Sequence, residues 1–125
     1  MKENNISIII PTLNEAINIK PLLLHLLQNS IAKNLAEIII VDCGSTDDTQ
    51  KIAVEFSLIN NKVKLILSER GRAKQMNMGA KIAVGNILYF LHADSIPPKD
   101  FDLYILNEVK IGNSAGCFKM KFDSN

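Results

Sequence analysis

The chain has 125 residues, of which 47% are hydrophobic and 22% are charged, the composition of an ordinary globular protein. This length corresponds to one domain, and a chain of this size buries about 65% of its unfolded surface on folding. Lys and Arg number 14 against 13 Asp and Glu, and the resulting net charge of +1 excludes a global field that would attract nucleic acid. Any anion must therefore be bound locally.

The cysteines and the apolar stretches indicate the compartment. Cys43 and Cys117 lie far apart, without metal-ligand spacing and without a signal peptide. We therefore expect a cytoplasmic protein without a disulfide. No apolar stretch approaches the ~20 residues of a membrane span, but a peripheral position at the inner face of the membrane stays open.

Five segments are typical of β-strands. The run that ends at His92 is apolar on both faces, which predicts a central, doubly buried strand, and the run that ends at Asp42 has the same form. The carboxyl ends of parallel strands lie at one edge of a sheet, so we expect Asp42 and Asp94 to meet in one crevice. The predicted strands are Ile6 to Ile10, Glu37 to Asp42, Lys62 to Leu67, Ile87 to His92 and Ala115 to Phe122.

Turn and capping residues predict where the first two helices begin. Asn18 is the expected N-cap of the first helix, with Pro21 inside its first turn. Ser45 to Asp48 have the form of a capping box before the second helix. The expected buried face of that helix is Ile52, Phe56 and Ile59.

Two further helices complete the pattern. The third is expected to end at Gly85 and Asn86, and the fourth to start at Pro98. Spacing predicts that Ala73, Met76, Ala80 and Ala83 form the buried stripe of the third helix, with Arg72, Gln75 and Gly79 pointing away. The alternation of strands and helices predicts an α/β domain of three layers, α/β/α, with a mostly parallel sheet.

Acidic residues at two predicted strand ends are candidate ligand contacts. Asp42 can accept hydrogen bonds from a base or a ribose, although a turn acid that caps the second helix is the alternative. His92 and Asp94 follow the fourth strand, and one carboxylate can suffice for a divalent cation that bridges a diphosphate. The alternatives are a core histidine and a turn acid.

The segment from Gly71 to Ala80 is a candidate anion site. A glycine before a helix exposes free N–H groups, and Arg70, Arg72 and Lys74 add positive charge, which suits a phosphate or the edge of a base. A solvated basic face is the alternative. His25, within an apolar helix, is interpreted as structural.

In combination these segments resemble a known family, the nucleotide-sugar glycosyltransferases of family two, which have the A-type glycosyltransferase fold with a Rossmann-like nucleotide-binding half. The matching segments keep their order and spacing across nearly the whole chain, and the third and fourth resemble a bacterial branch of the family. They are I-I-I-P-T-L-N-E at 8–15, V-D-C-G-S-T-D-D-T at 41–49, G-R-A-K-Q-M-N-M-G-A at 71–80 and F-L-H-A-D-S at 90–95.

The resemblance implies a role for each matched position. Asp42 would hydrogen-bond the base, Arg72 would reach the base edge or the diphosphate, and Asp94 would hold Mg or Mn against the diphosphate. Where the family's metal motif usually begins with an acid, this chain has His92. The implied nucleotide-binding residues are Pro11, Thr12, Glu15, Asp42, Arg72, Asn77 and His92.

Family members continue into a half that carries the acceptor contacts and the general base. Residues 1–125 are therefore expected to be a single nucleotide-sugar-binding domain, truncated before that half. The implied ligand is a UDP- or GDP-linked sugar, with an unknown acceptor that can lie at a membrane surface, and nucleic acid is not an expected partner. The uncovered edge of the last strand predicts a homodimer.

Other functions fit the residues less well. The first strand-to-helix turn has no glycine fingerprint, which argues against a dinucleotide-dependent oxidoreductase and against a sugar nucleotidyltransferase. The remaining alternative to transfer is a catalytically incomplete fragment that binds a nucleotide or associates with itself.

Overall fold

In the computed structural model, which describes residues 4–110 and 117–119, one sheet of five parallel strands lies between two layers of helices. The spatial order of the strands is β3-β2-β1-β4-β5. The fold therefore confirms the predicted α/β class and its three layers. In chain order the elements are β1 (Ile6–Thr12), α1 (Ala16–Gln28), a 3-10 turn (Ala32–Asn34), β2 (Leu35–Asp42), α2 (Thr49–Ile59), β3 (Val63–Leu67), α3 (Arg72–Ile82), β4 (Ile87–Phe90), α4 (Phe101–Lys110) and β5 (Cys117–Lys119).

The two faces of the sheet carry cores of unequal size. Alternate residues of β1, such as Ile8 and Ile10, pack against α1, α2 and α4 in the larger core. The residues between them face α3, where Ile9, Ile39 and Val41 form the smaller core. Since β1 and β2 are buried on both sides, each reads as a continuous apolar run.

The central strand is β1, and the prediction that the run ending at His92 is central was wrong. The strand β4 ends at Phe90. The N–H of the next residue, Leu91, still donates to the carbonyl of Ile9 in β1. In a continued ladder, the next donor from β1 to β4 would be the backbone nitrogen of residue 11. That residue is Pro11, which has no N–H. The chain therefore leaves the ladder, and a turn follows in which the N–H of Ser95 donates to the carbonyl of His92.

The strand β5 lies beside β4 at the edge of the described sheet. The other residues of the predicted last strand, Ala115 to Phe122, lie outside the described residues. The homodimer predicted through this edge stays a prediction. Among residues 4–110 and 117–119, no helix is both long enough and apolar enough to cross a bilayer.

The start of α1 depends on contacts with another part of the chain. The helix begins at Ala16, so Asn18 is not its N-cap, and Pro21 lies beyond the first turn. The N–H of Glu15 donates to Oγ1 of Thr49, the first residue of α2, and the N–H of Ala16 donates to Oδ2 of Asp47 in the loop before that helix. Because these tertiary bonds cap the helix, the local sequence predicts its start incorrectly.

The buried face of α3 differs from the predicted one, although Ala80 and Ala83 pack partly buried against the smaller core as expected. Gln75 and Gly79 are buried against the sheet, whereas Ala73 is exposed. A Cβ atom at Gly79 would lie 2.6 Å from Cγ2 of Ile9 and 3.2 Å from Cγ2 of Val41, so only glycine allows this approach. The absence of a side chain at Gly79 therefore lets α3 approach the sheet, with Ala80 and Ala83 packed beside it.

A buried carboxylate anchors the far end of α3. Glu37 of β2 is fully buried; its Oε2 accepts from Ser7 Oγ at 2.6 Å and from the N–H of Val84 at 2.6 Å, and its Oε1 accepts from Lys64 Nζ at 2.7 Å. Burial raises the pKa of Glu37, but these donors outweigh it and the pKa lies below its usual value. Gly85 packs closely on Ser7 here and is not the expected helix cap, since α3 ends at Ile82.

Replacing Gly79 with alanine should destabilise the domain. Alanine favours a helix over glycine, but its Cβ would overlap Ile9, and overpacking of this kind costs about 1–3 kcal/mol. The measurement is the free energy of unfolding in urea for Gly79→Ala. As the control, Met78→Ala on the exposed side of the same helix should change that free energy by less than about 0.5 kcal/mol. A Gly79→Ala variant as stable as the parent chain would contradict this packing.

Candidate functional site

The loops after β1 and β2 and the start of α3 enclose an open cleft of about 340 Å³. This cleft lies at the carboxyl edge of the sheet, the usual ligand position in open parallel sheets. The lining includes the cationic Arg70 and Arg72 and the carboxylate of Glu15. The lining residues are Pro11, Thr12, Leu13, Glu15, Cys43, Arg70, Gly71, Arg72 and Gln75.

Asp42 lies beneath the cleft, where its carboxylate is saturated with donors. It is fully buried. Its Oδ1 accepts from Thr12 Oγ1 at 2.7 Å and from Ser45 Oγ at 2.5 Å. Its Oδ2 accepts from the N–H groups of Gly44 at 3.0 Å and Ser45 at 2.8 Å, and from Gln50 Nε2 at 2.7 Å. This carboxylate therefore positions the walls of the cleft, and the predicted contact of Asp42 with a base stays a prediction.

The donors around Asp42 determine its ionisation. Burial raises the pKa of this carboxyl, but the hydrogen bonds from Ser45, Gln50 and Thr12 more than offset it, so the pKa lies below its ordinary value of 3.8. Asp42 is thus a carboxylate at neutral pH and cannot act as a proton donor there. Its role is to accept hydrogen bonds.

Asn14 links the loop after β1 to the loop after β2. It adopts a left-handed conformation with φ of 55°, which asparagine tolerates better than most residues. Its N–H donates to Ser45 Oγ at 2.7 Å, and its Oδ1 accepts from the N–H of Thr46 at 2.8 Å and of Asp47 at 3.3 Å. The first wall of the cleft is therefore tied to the second by main-chain and side-chain bonds.

The capping box predicted before α2 is wrong, because its residues serve these loop contacts. The helix begins at Thr49, and Ser45 bonds Asp42 instead of a helical N–H. Asp47 Oδ1 accepts from the N–H of Thr49 at 3.0 Å. Of the predicted buried face, Phe56 is buried and Ile52 packs partly buried against the larger core, but Ile59 is 81% exposed, and Thr49 and Ala53 complete the face.

The third side of the cleft is the start of α3. Gly71 precedes the helix with φ of 134°, a conformation that L side chains rarely adopt. The first helical N–H groups have no intrahelical partner, and Arg70 and Arg72 stand beside them. This corner therefore offers hydrogen-bond donors together with positive charge.

Arg72 also marks where the loop after β4 reaches the cleft. Its Nη1 lies 3.4 Å from Nε2 of His92. Asp94 follows two residues later in the turn and is exposed. The structure thus brings Arg72 and His92 together, whereas no contact of the Asp94 carboxylate is observed within the described part of the chain.

The structure separates the remaining predicted residues and adds two that were not predicted. Pro11, Thr12 and Glu15 line the cleft. Asn77 does not, because it faces a neighbouring groove beside Glu69 and Lys74. Cys43 and Gln75 line the cleft and were missed; the spacing of Gln75 four residues before Gly79 is the signal that could have revealed it. His25 is structural as expected, with Nε2 2.5 Å from the carbonyl oxygen of Pro97.

The donor set at Asp94 fits a divalent cation only when the ligand shares it. Among residues 4–110 and 117–119, no cluster of three or more His, Cys, Asp or Glu side chains could hold a metal alone. One exposed carboxylate can nevertheless complete an octahedron whose other positions are diphosphate oxygens and water. The residues present are compatible with that shared coordination.

Comparison with known proteins identifies the family. The sequence profile described as Glycosyl transferase family 2 matches residues 7–123. The chain belongs to glycosyl transferase family 2. This membership accounts for the resemblance of its four motifs and for the position of the cleft.

Several glycosyltransferases and solved structures are similar to this family 2 domain. Glycosyltransferase AglE of Haloferax volcanii is 34% identical over 94 residues, which are 74% of this chain and 31% of AglE. The structure of S. aureus TarS 1-349 in complex with UDP superposes with a TM-score of 0.68 at 27% identity, covering 86% of this chain and 32% of TarS. The mannosyltransferase PcManGT of Pyrobaculum calidifontis, solved with GDP-Man and Mn²⁺, gives a TM-score of 0.72 at 27% identity, covering 90% of this chain and 33% of PcManGT. The chain thus spans about a third of the length of these proteins.

Replacing Asp42 with asparagine should loosen the cleft. The amide would turn a donor toward groups that themselves donate, and a buried polar group left unpaired costs about 1–3 kcal/mol of unfolding free energy. Because the pKa of Asp42 is lowered, its contribution is full above pH 3.8 and is lost as the pH falls through the lowered value. Urea unfolding as a function of pH should show a smaller acid-induced loss in Asp42→Asn than in the parent chain.

The matched control is Asp48→Asn in the same loop, since Asp48 is exposed and its side chain caps no helical N–H. This control should keep the stability of the parent chain. Equal stability of the Asp42→Asn and Asp48→Asn variants at pH 7 would show that the Asp42 network does not hold the loops.

Proposed function

We propose that this family 2 domain binds a nucleotide-diphospho-sugar in the cleft between β1, β2 and α3, for transfer of the sugar to an acceptor. The observation that carries the proposal is the corner formed by Arg70, Gly71 and Arg72 at the carboxyl edge of the sheet. The family membership supports the same reaction class.

The diphosphate is the ligand group best suited to the start of α3. Free N–H groups at the helix start and its partial positive charge favour an anion. Arg70 and Arg72 add donors whose geometry matches phosphate oxygens. The wall opposite, which includes Pro11, Thr12 and Glu15, is then left for the nucleoside.

Asp94 is proposed to share Mg or Mn with the diphosphate. PcManGT was solved with GDP-Man and Mn²⁺, which supports such a cation for a domain with this fold. The cation would offset the negative charge that develops on the leaving diphosphate. His92 and Arg72, in contact at this corner, would orient the same phosphate groups.

The ligands of similar proteins suggest two candidate bases for the nucleotide. TarS was solved with UDP and PcManGT with GDP-Man, so uridine and guanosine diphosphates are both proposed candidates. Because the chain spans about a third of these proteins, residues 1–125 are proposed as the nucleotide-sugar-binding part of the reaction. The acceptor, its location at a membrane surface and the predicted homodimer stay predictions.

The first test is the binding of UDP and of GDP by calorimetry, with and without Mn²⁺. We expect one nucleotide to bind more tightly with the cation, and Asp94→Asn to abolish that enhancement because it removes the anionic oxygen ligand. The control is Asp100→Asn, an exposed position with φ of 64° that asparagine tolerates equally well. Cation-dependent binding that survives in Asp94→Asn would contradict the metal role.

The role of Arg72 is tested separately. A hydrogen bond to a charged group contributes about 1.5–3 kcal/mol, so Arg72→Ala should weaken nucleotide binding by about 10- to 150-fold. Lys74→Ala is the control, since Lys74 lies outside the cleft and pairs with Glu69 at 3.1 Å. Equal effects of the two substitutions would indicate only a general loss of charge. Absence of binding to either nucleotide by the parent chain would overturn the proposed function.

A further inference from the structure

The loop after β4 determines where the carboxylate of Asp94 lies. Asp94 is exposed, and within residues 4–110 and 117–119 no hydrogen bond or ion pair of its side chain is observed. Its neighbours on both sides, Ala93 and Ser95, are buried. Because no contact fixes the carboxylate itself, its position depends on how the backbone of this loop is held.

Backbone hydrogen bonds hold only the first part of the loop. The N–H of Leu91 donates to the carbonyl of Ile9 at 3.0 Å, and the N–H of Ser95 donates to the carbonyl of His92 at 3.0 Å. The loop continues through Pro97 and Pro98, which have no N–H groups. Beyond the turn, the backbone at these two residues can therefore be held only through its carbonyl oxygens.

His25 of α1 supplies a donor at that point. Its Nε2 lies 2.5 Å from the carbonyl oxygen of Pro97, and Pro97 is buried. Because a carbonyl oxygen can only accept, Nε2 carries the hydrogen. In the described part of the chain, this bond and the contact between Arg72 and His92 are the hydrogen bonds that join residues 92–100 to other elements.

The orientation of the His25 ring is itself fixed by Asn29. The Nδ2 atom of Asn29 donates to the carbonyl of His25 at 3.0 Å and lies 3.1 Å from Nδ1 of the ring. The carbonyl of His25 can only accept, so the amide atom that faces Nδ1 is a donor and Nδ1 accepts from it. The ring is therefore neutral, with its hydrogen on Nε2 toward Pro97.

The helix that carries His25 is fixed to the walls of the cleft. Leu22 and Leu26 of α1 are fully buried in the larger core. The start of the helix is bound by the side chains of Asp47 and Thr49. His25 lies about 14 Å along the helix axis from Ala16 and does not line the cleft. It can therefore act on a ligand in the cleft only through the loop that it holds.

We propose that His25 is a positioning residue for Asp94: its bond to Pro97 holds the loop after β4, so that the Asp94 carboxylate is in place for a cation that the diphosphate shares. This inference rests on the proposed function, because it concerns the cation of that same site. The ring of each proline restricts the backbone, and the residue before a proline is confined to extended conformations. A bond at Pro97 therefore restricts the position of Asp94, which lies three residues earlier.

The test measures how much Mn²⁺ strengthens nucleotide binding. Calorimetry with UDP and with GDP, with and without Mn²⁺, is carried out on the parent chain, His25→Leu and His25→Gln. Leucine fills the site but donates nothing, so the enhancement should fall by at least about fivefold, because cation binding must then order a loop that has regained backbone freedom. Binding without Mn²⁺ should change much less, since the groups that line the cleft are untouched.

Two control variants separate positioning from general stability. His25→Gln ends in an N–H donor of similar reach and should keep the enhancement within about twofold of that of the parent chain. Lys20→Ala, at an exposed position of the same helix, should leave the enhancement unchanged.

Three results would overturn the inference and leave nucleotide binding intact. The first is an unchanged enhancement in His25→Leu, and the second is a His25→Gln variant as impaired as His25→Leu. The third is an equal loss of affinity with and without Mn²⁺, because His25 would then support the whole cleft and not the loop of Asp94. A parent chain that binds nucleotide but gains nothing from Mn²⁺ would overturn the metal role of Asp94 together with this inference.

A measurement on the parent chain alone covers the case in which His25→Leu does not fold. The ¹⁵N NMR signals of an imidazole distinguish a nitrogen that carries hydrogen from one that does not. At neutral pH, His25 should show its hydrogen on Nε2 and none on Nδ1. A hydrogen on Nδ1, or a rapid mixture of the two tautomers, would overturn the inference, because such a ring does not hold Pro97. Failure of UDP and GDP alike to bind would overturn the proposed function and this inference together.

Discussion

The cleft depends on one buried carboxylate that accepts hydrogen bonds from several segments at once. Asp42 ends β2 and binds Thr12 from β1, the backbone and hydroxyl of Ser45 from the following loop, and Gln50 from α2. A buried charge is tolerated only when its lone pairs are satisfied. The loops must therefore stay closed around it, which keeps the walls of the cleft in place without a ligand.

Two kinds of contact set α3 on the other side of that cleft. Gly79 lets the helix approach Ile9 and Val41, and the amide of Gln75 donates to the carbonyls of Thr12 and Val41 near the ends of β1 and β2. At the opposite edge, Glu37 accepts from the chain that leaves the helix. Because α3 is attached at both ends, the donors at its start hold a constant position relative to β1 and β2. Such preorganisation favours the anion site proposed at the start of α3.

Much of the fold could be predicted from the sequence, because apolar runs and turn residues define parallel strands and helices. The class, the first four strands, and the cleft positions of Pro11, Thr12, Glu15 and Arg72 follow from these patterns and from the resemblance. What could not be predicted depends on tertiary bonds. The start of α1 is capped by the side chains of Asp47 and Thr49 at the start of α2, the most buried residues of α3 are a glycine and a glutamine, and the ladder of β4 ends because Pro11 lacks an N–H. Gln75 was read as exposed for the same reason, since its partners are backbone carbonyls distant in sequence.

The central claim is that one ligand occupies the cleft between β1, β2 and α3, with its anionic part at the start of the helix. The most direct measurement is an NMR titration of the backbone amides of the chain with UDP and with GDP. The account predicts that the N–H signals of Cys43, Gly71 and Arg72 shift and saturate together, while those of Val84 and Gly85 at the opposite edge stay in place. Shifts centred on the opposite edge, or on the exposed faces of α2 and α4, would contradict it.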